Sequence, residues 1–105
     1  MDADEAGDGP FGIWKVIRGI PRGRAAAYGD VGKAMDSPVS GLLVGRWMTR
    51  CPEDVPWWRV VGRDGTLLVA RRDVQAAVLQ QERLESEGVE FVEGRVDMGR
   101  FGCLP

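Results

Sequence analysis

Few side chains in this sequence could act as a nucleophile or a base. The chain has two cysteines, Cys51 and Cys103, and no histidine. A nucleophilic thiol normally needs a neighbouring base, and these cysteines have neither an imidazole nor a CxxC spacing that could hold zinc. The sequence therefore predicts no catalytic dyad, no cofactor, no metal site and no disulfide framework, and it indicates a reducing compartment.

The run from Pro56 to Val61 places two aromatic side chains, Trp57 and Trp58, directly before Arg59. Neither indole has a lone pair suited to nucleophilic attack or a pKa near neutrality, so the rings offer aromatic surface without reactivity. The run favours extended structure. In a strand the two rings would alternate, with one in the core and one on the surface.

The elements that position these residues are predicted to be mainly helical. Apolar residues from Phe11 recur at spacings of three and four, which predicts an amphipathic first helix that Pro21 ends. Asp30 is predicted to cap a short helix over residues 31–35. A further helix is predicted over residues 39–50, and two helices joined by a tight turn outline a helix-turn-helix.

The second half of the chain predicts a wing and a last helix. Extended runs over residues 55–61 and 66–69 flank the turn signal Arg63-Asp64-Gly65, which predicts a β-hairpin. Asp73 is predicted to cap a helix that Gly88 ends, followed by an irregular segment. The side chains expected to pack from this region are Val74, Ala77, Val78, Leu84, Val89, Phe91, Val96 and Phe101. The predicted fold is mainly α, a winged helix-turn-helix DNA-binding domain with a short β-hairpin wing.

Charge and composition divide the chain into a tail and one domain. Residues 1–10 carry four acids, no base and almost no apolar side chain, which predicts a disordered acidic tail before a domain over residues 11–105. The net charge is −2, yet residues 11–72 carry +6 and residues 73–105 carry −4. Such a basic block can neutralise phosphates, although a solvated mixed surface would give the same counts.

No stretch approaches the roughly 20 apolar residues of a membrane span, and the acidic start is unlike a signal peptide.

Several ordered motifs, taken together, resemble a known family. They are Ile20-Pro21-Arg22-Gly23-Arg24, Tyr28-Gly29-Asp30-Val31, Val44-Gly45 with Met48, Pro56-Trp57-Trp58-Arg59-Val60-Val61, Gln81-Glu82-Arg83-Leu84 and Glu87-Gly88-Val89. At this spacing the chain is similar to the C-terminal domain of the DNA alkyltransferases that repair guanine alkylated on its exocyclic oxygen. The family's active site reads Pro-Cys-His-Arg-Val, and here Trp57 and Trp58 stand at the cysteine and histidine positions. This is similar to the alkyltransferase-like proteins, which have tryptophan for the cysteine but usually retain the histidine.

The resemblance implies recognition without chemistry. Alkyltransferase-like proteins bind the lesion and hand it to nucleotide excision repair. The resemblance therefore implies a non-enzymatic protein that binds double-stranded DNA in the minor groove and recognises alkylated guanine by base flipping. It implies the excision-repair damage sensor as a protein partner, a monomer, and a cytoplasmic location that becomes nucleoid-associated on DNA.

The resemblance also assigns site residues. The residues implied in DNA binding are Tyr28, Gly41, Leu42, Gly45, Arg46 and Thr49, and those implied in the lesion pocket are Trp57, Arg59, Tyr28, Val55 and Pro56. Tyr28 matches a tyrosine that presses on the phosphate of the target nucleotide, and Trp57 would stack on the extruded guanine. Leu42 stands where the family has an arginine that fills the gap left by the base, and a leucine there can act as an apolar wedge. Arg59 would hold the neighbouring backbone through charge-assisted hydrogen bonds.

Several of these residues also have another interpretation. Tyr28 could be a core residue, and Gly41 and Gly45 could permit a close contact between helices instead of a close approach to DNA. Arg46 could replace the missing arginine of the family or contact a phosphate.

Two other functional classes remain open in the sequence. The departures at Leu42 and Trp58 favour a winged-helix DNA-binding module or regulator without lesion specificity. An enzyme with another nucleophile is disfavoured, because the predicted pocket holds no thiol, imidazole or metal-binding cluster.

Overall fold

The computed structural model describes residues 10–103, so the predicted acidic tail lies outside it apart from Pro10, the first residue of helix α1 (Pro10–Arg18). Ile13, Trp14 and Ile17 bury one face of α1, which confirms the amphipathic prediction. The helix ends at Arg18, before the predicted breaker Pro21. No helix within residues 10–103 has both the length and the hydropathy of a membrane span.

Helices α2 (Tyr28–Lys33) and α3 (Gly41–Trp47) form the helix-turn-helix, and a 3-10 helix, Met48–Arg50, continues α3. The Ser40 hydroxyl caps α3 by accepting a hydrogen bond from the Leu43 amide. The prediction that Asp30 caps a helix over residues 31–35 is wrong. Asp30 lies in the first turn of α2 and is buried, with its carboxylate 3.3 Å from the Arg63 guanidinium.

Strands β1 (Ala26–Ala27) and β2 (Val60–Val61) pair in parallel, so the predicted hairpin over residues 55–69 is wrong. Both strands are buried, which favours pairing across the core over a solvated wing. The Trp57–Arg59 segment before β2 is a 3-10 helix, and a second one spans Leu68–Arg71.

A hairpin forms instead in the segment predicted to be irregular, between β3 (Phe91–Val92) and β4 (Arg95–Val96). Its two central residues, Glu93 and Gly94, have φ angles of 54° and 79°. Positive φ at both positions is the signature of a type I′ turn, which matches the twist of the flanking strands. A short helix, α5 (Met98–Phe101), follows.

Helix α4 (Val74–Ser86) begins and ends where the sequence indicates. The Asp73 carboxylate accepts from the Ala76 amide, and Gly88 ends the helix with φ 91°. Its packing face was only partly predicted, since Val74 and Val78 are 66% and 50% exposed. The residues of α4 that pack inward are Ala77, Gln80 and Leu84, at helical spacings of three and four.

The β1–β2 pair lies between two apolar clusters. One cluster contains the buried faces of α1, α2 and α3 together with Val55 and Val60. The other contains Val61, Leu84, Val89 and Val96, with Phe91 and Phe101 packed against it, so the predicted packing of the last segment is confirmed. Adjacent residues of β2 therefore join the helix-turn-helix to α4 and fix the Trp57–Arg59 segment relative to both.

Candidate functional site

An open groove of about 570 Å³ runs between α3 and the 3-10 helix Leu68–Arg71. Its lining residues are Tyr28, Gly41, Leu42, Gly45, Arg46, Thr49, Leu68, Val69 and Arg72. The structure thus brings together all six residues that the sequence assigned to DNA binding. Leu68 and Val69 belong to residues 66–70, which the resemblance places in the loop that closes the pocket, whereas Arg72 was not predicted.

A second cavity of about 330 Å³ lies beside the groove, within the range of sites that hold small organic ligands. Its lining residues are Tyr28, Met48, Thr49, Cys51, Trp57, Val69, Arg72, Asp73, Ala76 and Gln80. Trp57 and Tyr28 therefore line a common cavity, as the sequence predicts for the pocket. The other three residues predicted for it do not line the cavity, because Val55 and Pro56 are buried and Arg59 is turned toward Glu87.

Four residues, Tyr28, Thr49, Val69 and Arg72, line both the groove and the cavity. They form the boundary that a ligand would cross between the two. The Tyr28 ring is partly buried against the helical core, so it is both a packing residue and a boundary residue. Burial raises the pKa of its phenol, and the nearby Arg72 charge opposes the rise, so the hydroxyl remains protonated at neutral pH.

The two glycines of α3 have different surroundings. A Cβ on Gly41 would lie 2.9 Å from the Gly29 amide nitrogen and 3.1 Å from its Cα, so this glycine is needed for the close approach of α2 and α3. A Cβ on Gly45 would meet no atom of the described residues within 4 Å. The structural interpretation therefore holds for Gly41, whereas Gly45 lines the groove without serving a contact between these helices.

The alternative interpretation, in which Trp57 and Trp58 alternate across a strand, is wrong. Both rings project from the 3-10 helix Trp57–Arg59 and are partly buried, with centroids 6.2 Å apart and planes at 86°. The Arg83 guanidinium lies 5.8 Å from the Trp57 ring and 4.7 Å from the Trp58 ring. An edge-to-face pair with a shared cation is favourable and restricts both indoles, so Trp57 presents a fixed surface to the cavity.

A buried carboxylate organises the residues behind the two indoles. Glu87 accepts from Trp58 Nε1 at 2.8 Å, from Arg59 Nη2 at 2.8 Å and from the Gly23 amide at 2.9 Å. Burial alone would raise the Glu87 pKa, but these hydrogen bonds outweigh it and the pKa is lowered. Arg59 also donates to the Ile20 carbonyl at 2.9 Å, which is the structural role predicted for this arginine.

Cys51 lines the cavity with Trp57, so the expectation that the pocket holds no thiol is wrong. Burial raises the pKa of this thiol to about 11, and the Asp54 charge adds to the effect. A thiol with such a pKa is almost entirely protonated at neutral pH and is a poor nucleophile. In the part of the chain that the structure describes, no cluster of histidine, cysteine and acidic side chains could hold a metal ion.

Besides Cys51, sequence reasoning missed three polar residues of the cavity, Arg72, Gln80 and Asp73, the last of which it assigned only as the cap of α4. Arg72 stands directly before the cap of α4, where a basic residue is usually taken for a solvated side chain. Gln80 carried a clearer signal, since it occupies the packing face between Ala77 and Leu84, where an apolar residue is expected. Across residues 10–103, neither Arg46 nor Arg72 forms an ion pair, so both cations face the groove uncompensated by a contacting acid.

Known proteins resemble this chain in sequence and in fold. Residues 11–89 match the family model of the 6-O-methylguanine DNA methyltransferase DNA-binding domain. A DNA base-flipping protein of Escherichia coli (strain K12) is 37% identical over 95 residues, covering 88% of this chain and 71% of that protein. Alkyltransferase-like protein 1 of Schizosaccharomyces pombe is 34% identical over 84 residues, covering 77% of this chain and 76% of that protein.

The fold agrees with a solved relative. The crystal structure of Schizosaccharomyces pombe Atl1 in complex with damaged DNA containing O6-carboxymethylguanine superimposes with a TM-score of 0.81 and 26% identity over the whole of both chains. The predicted fold class, a mainly helical helix-turn-helix domain with short strands, is confirmed, while its hairpin lies later in the chain than predicted.

Proposed function

This chain belongs to the family of the 6-O-methylguanine DNA methyltransferase DNA-binding domain, and on that premise we propose that it recognises alkylated guanine by base flipping, without repairing it. The observation that carries the proposal is the boundary shared by the groove and the Trp57 cavity. A base that leaves the duplex in the groove would pass Tyr28 to reach the aromatic wall. A relative of the same fold, Atl1, has been crystallised with DNA that contains O6-carboxymethylguanine, which supports damaged DNA as the ligand.

Docking would use the open face of α3 in the minor groove. Gly45 lets the backbone approach the duplex closely, while Arg46 and Arg72 attract phosphates. Leu42 is 77% exposed beside these cations, so its side chain is free to enter the duplex. We assign it the role of an apolar wedge that fills the space vacated by the flipped base.

Recognition would take place in the cavity. Its volume of about 330 Å³ accommodates a purine with a small alkyl group, and Trp57 supplies a ring face for stacking. An alkyl group on the exocyclic oxygen weakens the base pair, so an alkylated guanine costs less to extrude than an intact one. The preference for damaged DNA would therefore arise from two causes. The free energy needed to extrude the base is lower, and the cavity accommodates the added alkyl group.

No alkyl transfer is expected in this cavity. The tryptophan at position 57 stands where the family has its nucleophile, and Cys51 is held as a protonated thiol. A protein that binds a lesion without removing it needs another activity to complete repair. We therefore propose that a monomer of this protein, in the cytoplasm and at the nucleoid, presents the lesion to the damage sensor of nucleotide excision repair.

Equilibrium binding tests the proposal. We expect the protein to bind a duplex with one O6-methylguanine more tightly than the same duplex with guanine, as measured by fluorescence anisotropy at fixed salt. Trp57→Ala should weaken binding of the damaged duplex by the value of one stacked base, about 1–3 kcal/mol, while the undamaged duplex changes little. Equal affinities for the two duplexes would favour the winged-helix module without lesion specificity.

A further inference from the structure

Gln80 of α4 lines the cavity that contains Trp57 and is 1% exposed. Its amide nitrogen donates to two backbone carbonyls, those of Trp58 at 3.1 Å and Val60 at 2.9 Å. Carbonyl oxygens only accept hydrogen bonds, so these two contacts fix which end of the amide is nitrogen. The orientation of Oε1 is therefore set by the network and is not arbitrary.

The Oε1 atom of Gln80 has no hydrogen-bond partner within the described residues. Most buried side-chain acceptors in folded proteins are paired, because an unpaired acceptor loses its hydration without compensation. Less than 1 Å² of this oxygen is exposed, so bulk water cannot donate a hydrogen bond to it. Because Gln80 lines the cavity, rotation of the lining side chains, which commonly accompanies binding, would give a donor in the cavity access to this oxygen.

The identity of that donor follows from the chemistry of the ligand in the proposed function, on which this inference rests. Alkylation of the exocyclic oxygen leaves guanine N1 without a hydrogen, so the 2-amino group is the remaining donor on its pairing edge. We propose that Gln80 Oε1 accepts a hydrogen bond from the 2-amino group of the extruded base. Gln80 is thus a specificity-determining residue that selects alkylated guanine over purines lacking this group.

The test compares three duplexes that differ at one position, which holds O6-methylguanine, guanine or O6-methylhypoxanthine. O6-methylhypoxanthine lacks only the 2-amino group of the lesion. We expect the wild-type protein to bind it about tenfold more weakly than O6-methylguanine. Loss of the amino group also weakens base pairing and so makes extrusion easier, which means that a preference for O6-methylguanine cannot arise from pairing.

Two variants test whether the Gln80 side chain causes the preference for O6-methylguanine over O6-methylhypoxanthine. Gln80→Met preserves the length of the side chain without its acceptor, and Gln80→Lys retains a donor for the two carbonyls without an acceptor. Both should bind the two methylated duplexes within about twofold of each other, with folding checked by thermal unfolding. The lysine variant maintains the backbone contacts if the methionine variant does not fold.

The outcomes separate this inference from the proposed function. If the wild-type protein prefers O6-methylguanine to guanine but binds O6-methylhypoxanthine equally well, the role of Gln80 is overturned and lesion recognition stands. If either variant retains the tenfold preference for O6-methylguanine over O6-methylhypoxanthine, a group other than Gln80 binds the 2-amino group of the base. If the wild-type protein does not distinguish O6-methylguanine from guanine, the proposed function itself fails.

Discussion

The indole nitrogen of Trp58 donates a hydrogen bond of 2.8 Å to the carboxylate of Glu87, which is 3% exposed. The same carboxylate forms an ion pair with Arg59, and Arg59 is tied to the backbone at Ile20. The resemblance places the family's histidine at position 58, and the indole that stands here has one ring N–H, which it donates to Glu87. The departure at Trp58 therefore completes a buried network and leaves the Trp57 cavity in place.

The first prediction concerns this hydrogen bond. Trp58→Phe removes the donor but retains an aromatic ring, and it should lower the free energy of unfolding by about 1–3 kcal/mol, since a buried acceptor loses a partner. Trp58→His retains a ring donor and should cost less. Urea unfolding followed by circular dichroism measures both variants. Equal stability of the phenylalanine and histidine variants would show that the hydrogen bond contributes nothing.

The second prediction uses the two glycines of α3 as a matched pair. Gly41→Ala places a methyl group against the backbone of Gly29 and should destabilise the protein by about 1–3 kcal/mol. Gly45→Ala has open space and should stabilise the helix by up to about 1 kcal/mol, because alanine is the better helix former.

The effect of Gly45→Ala on DNA should have the opposite sign. Its new methyl group projects into the groove, so the variant is expected to bind the lesion duplex more weakly although it is more stable. Thermal unfolding and anisotropy titrations on the same samples measure the two effects. Wild-type affinity in Gly45→Ala would exclude a close approach of DNA at this turn of α3.

The third prediction concerns the pH dependence of Cys51. A pKa of about 11 leaves roughly one thiol in ten thousand ionised at pH 7, and the thiolate fraction rises only as the pH approaches 11. Labelling with iodoacetamide, with Cys51→Ser as control, should be slow at pH 7 and accelerate about tenfold per pH unit below that pKa.

The same thiol should not accept an alkyl group from DNA. Incubation with an oligonucleotide that carries an isotope-labelled O6-methylguanine is expected to leave the mass of the Cys51 peptide unchanged. Transfer of label to Cys51 at neutral pH would contradict the assignment of this protein as non-enzymatic.

Local signals in the sequence predicted the elements whose ends depend on nearby residues. Asp73 and Gly88 delimit α4 because a side-chain cap and a positive φ act within one helical turn. The partner of Val60 and Val61 was not predictable in this way. It is the Ala26–Ala27 strand, more than thirty residues earlier, and two adjacent valines fit a hairpin as well as a buried parallel pair.

The site was predictable to the extent that the resemblance fixes its positions. All six residues that it implies in DNA binding line the groove, and Trp57 lines the cavity, whereas Arg72 of the groove was not among them. It missed Cys51, since a residue five positions before the motif reaches the cavity only through the fold of the intervening loop. It also missed Gln80. A glutamine on the packing face of α4 indicates a buried polar contact, but the sequence does not show that its partners are the carbonyls of Trp58 and Val60.

The most direct test of the account is the tryptophan fluorescence of the protein during titration with DNA. A guanine stacked on Trp57 should quench its emission, so the lesion duplex is expected to quench more strongly than the undamaged duplex at saturation. Trp57→Phe should abolish the excess quenching, whereas Trp47→Phe, outside both the groove and the cavity, should preserve it. Equal quenching by the two duplexes, or excess quenching that survives in Trp57→Phe, would contradict the stacking of a flipped lesion against this ring.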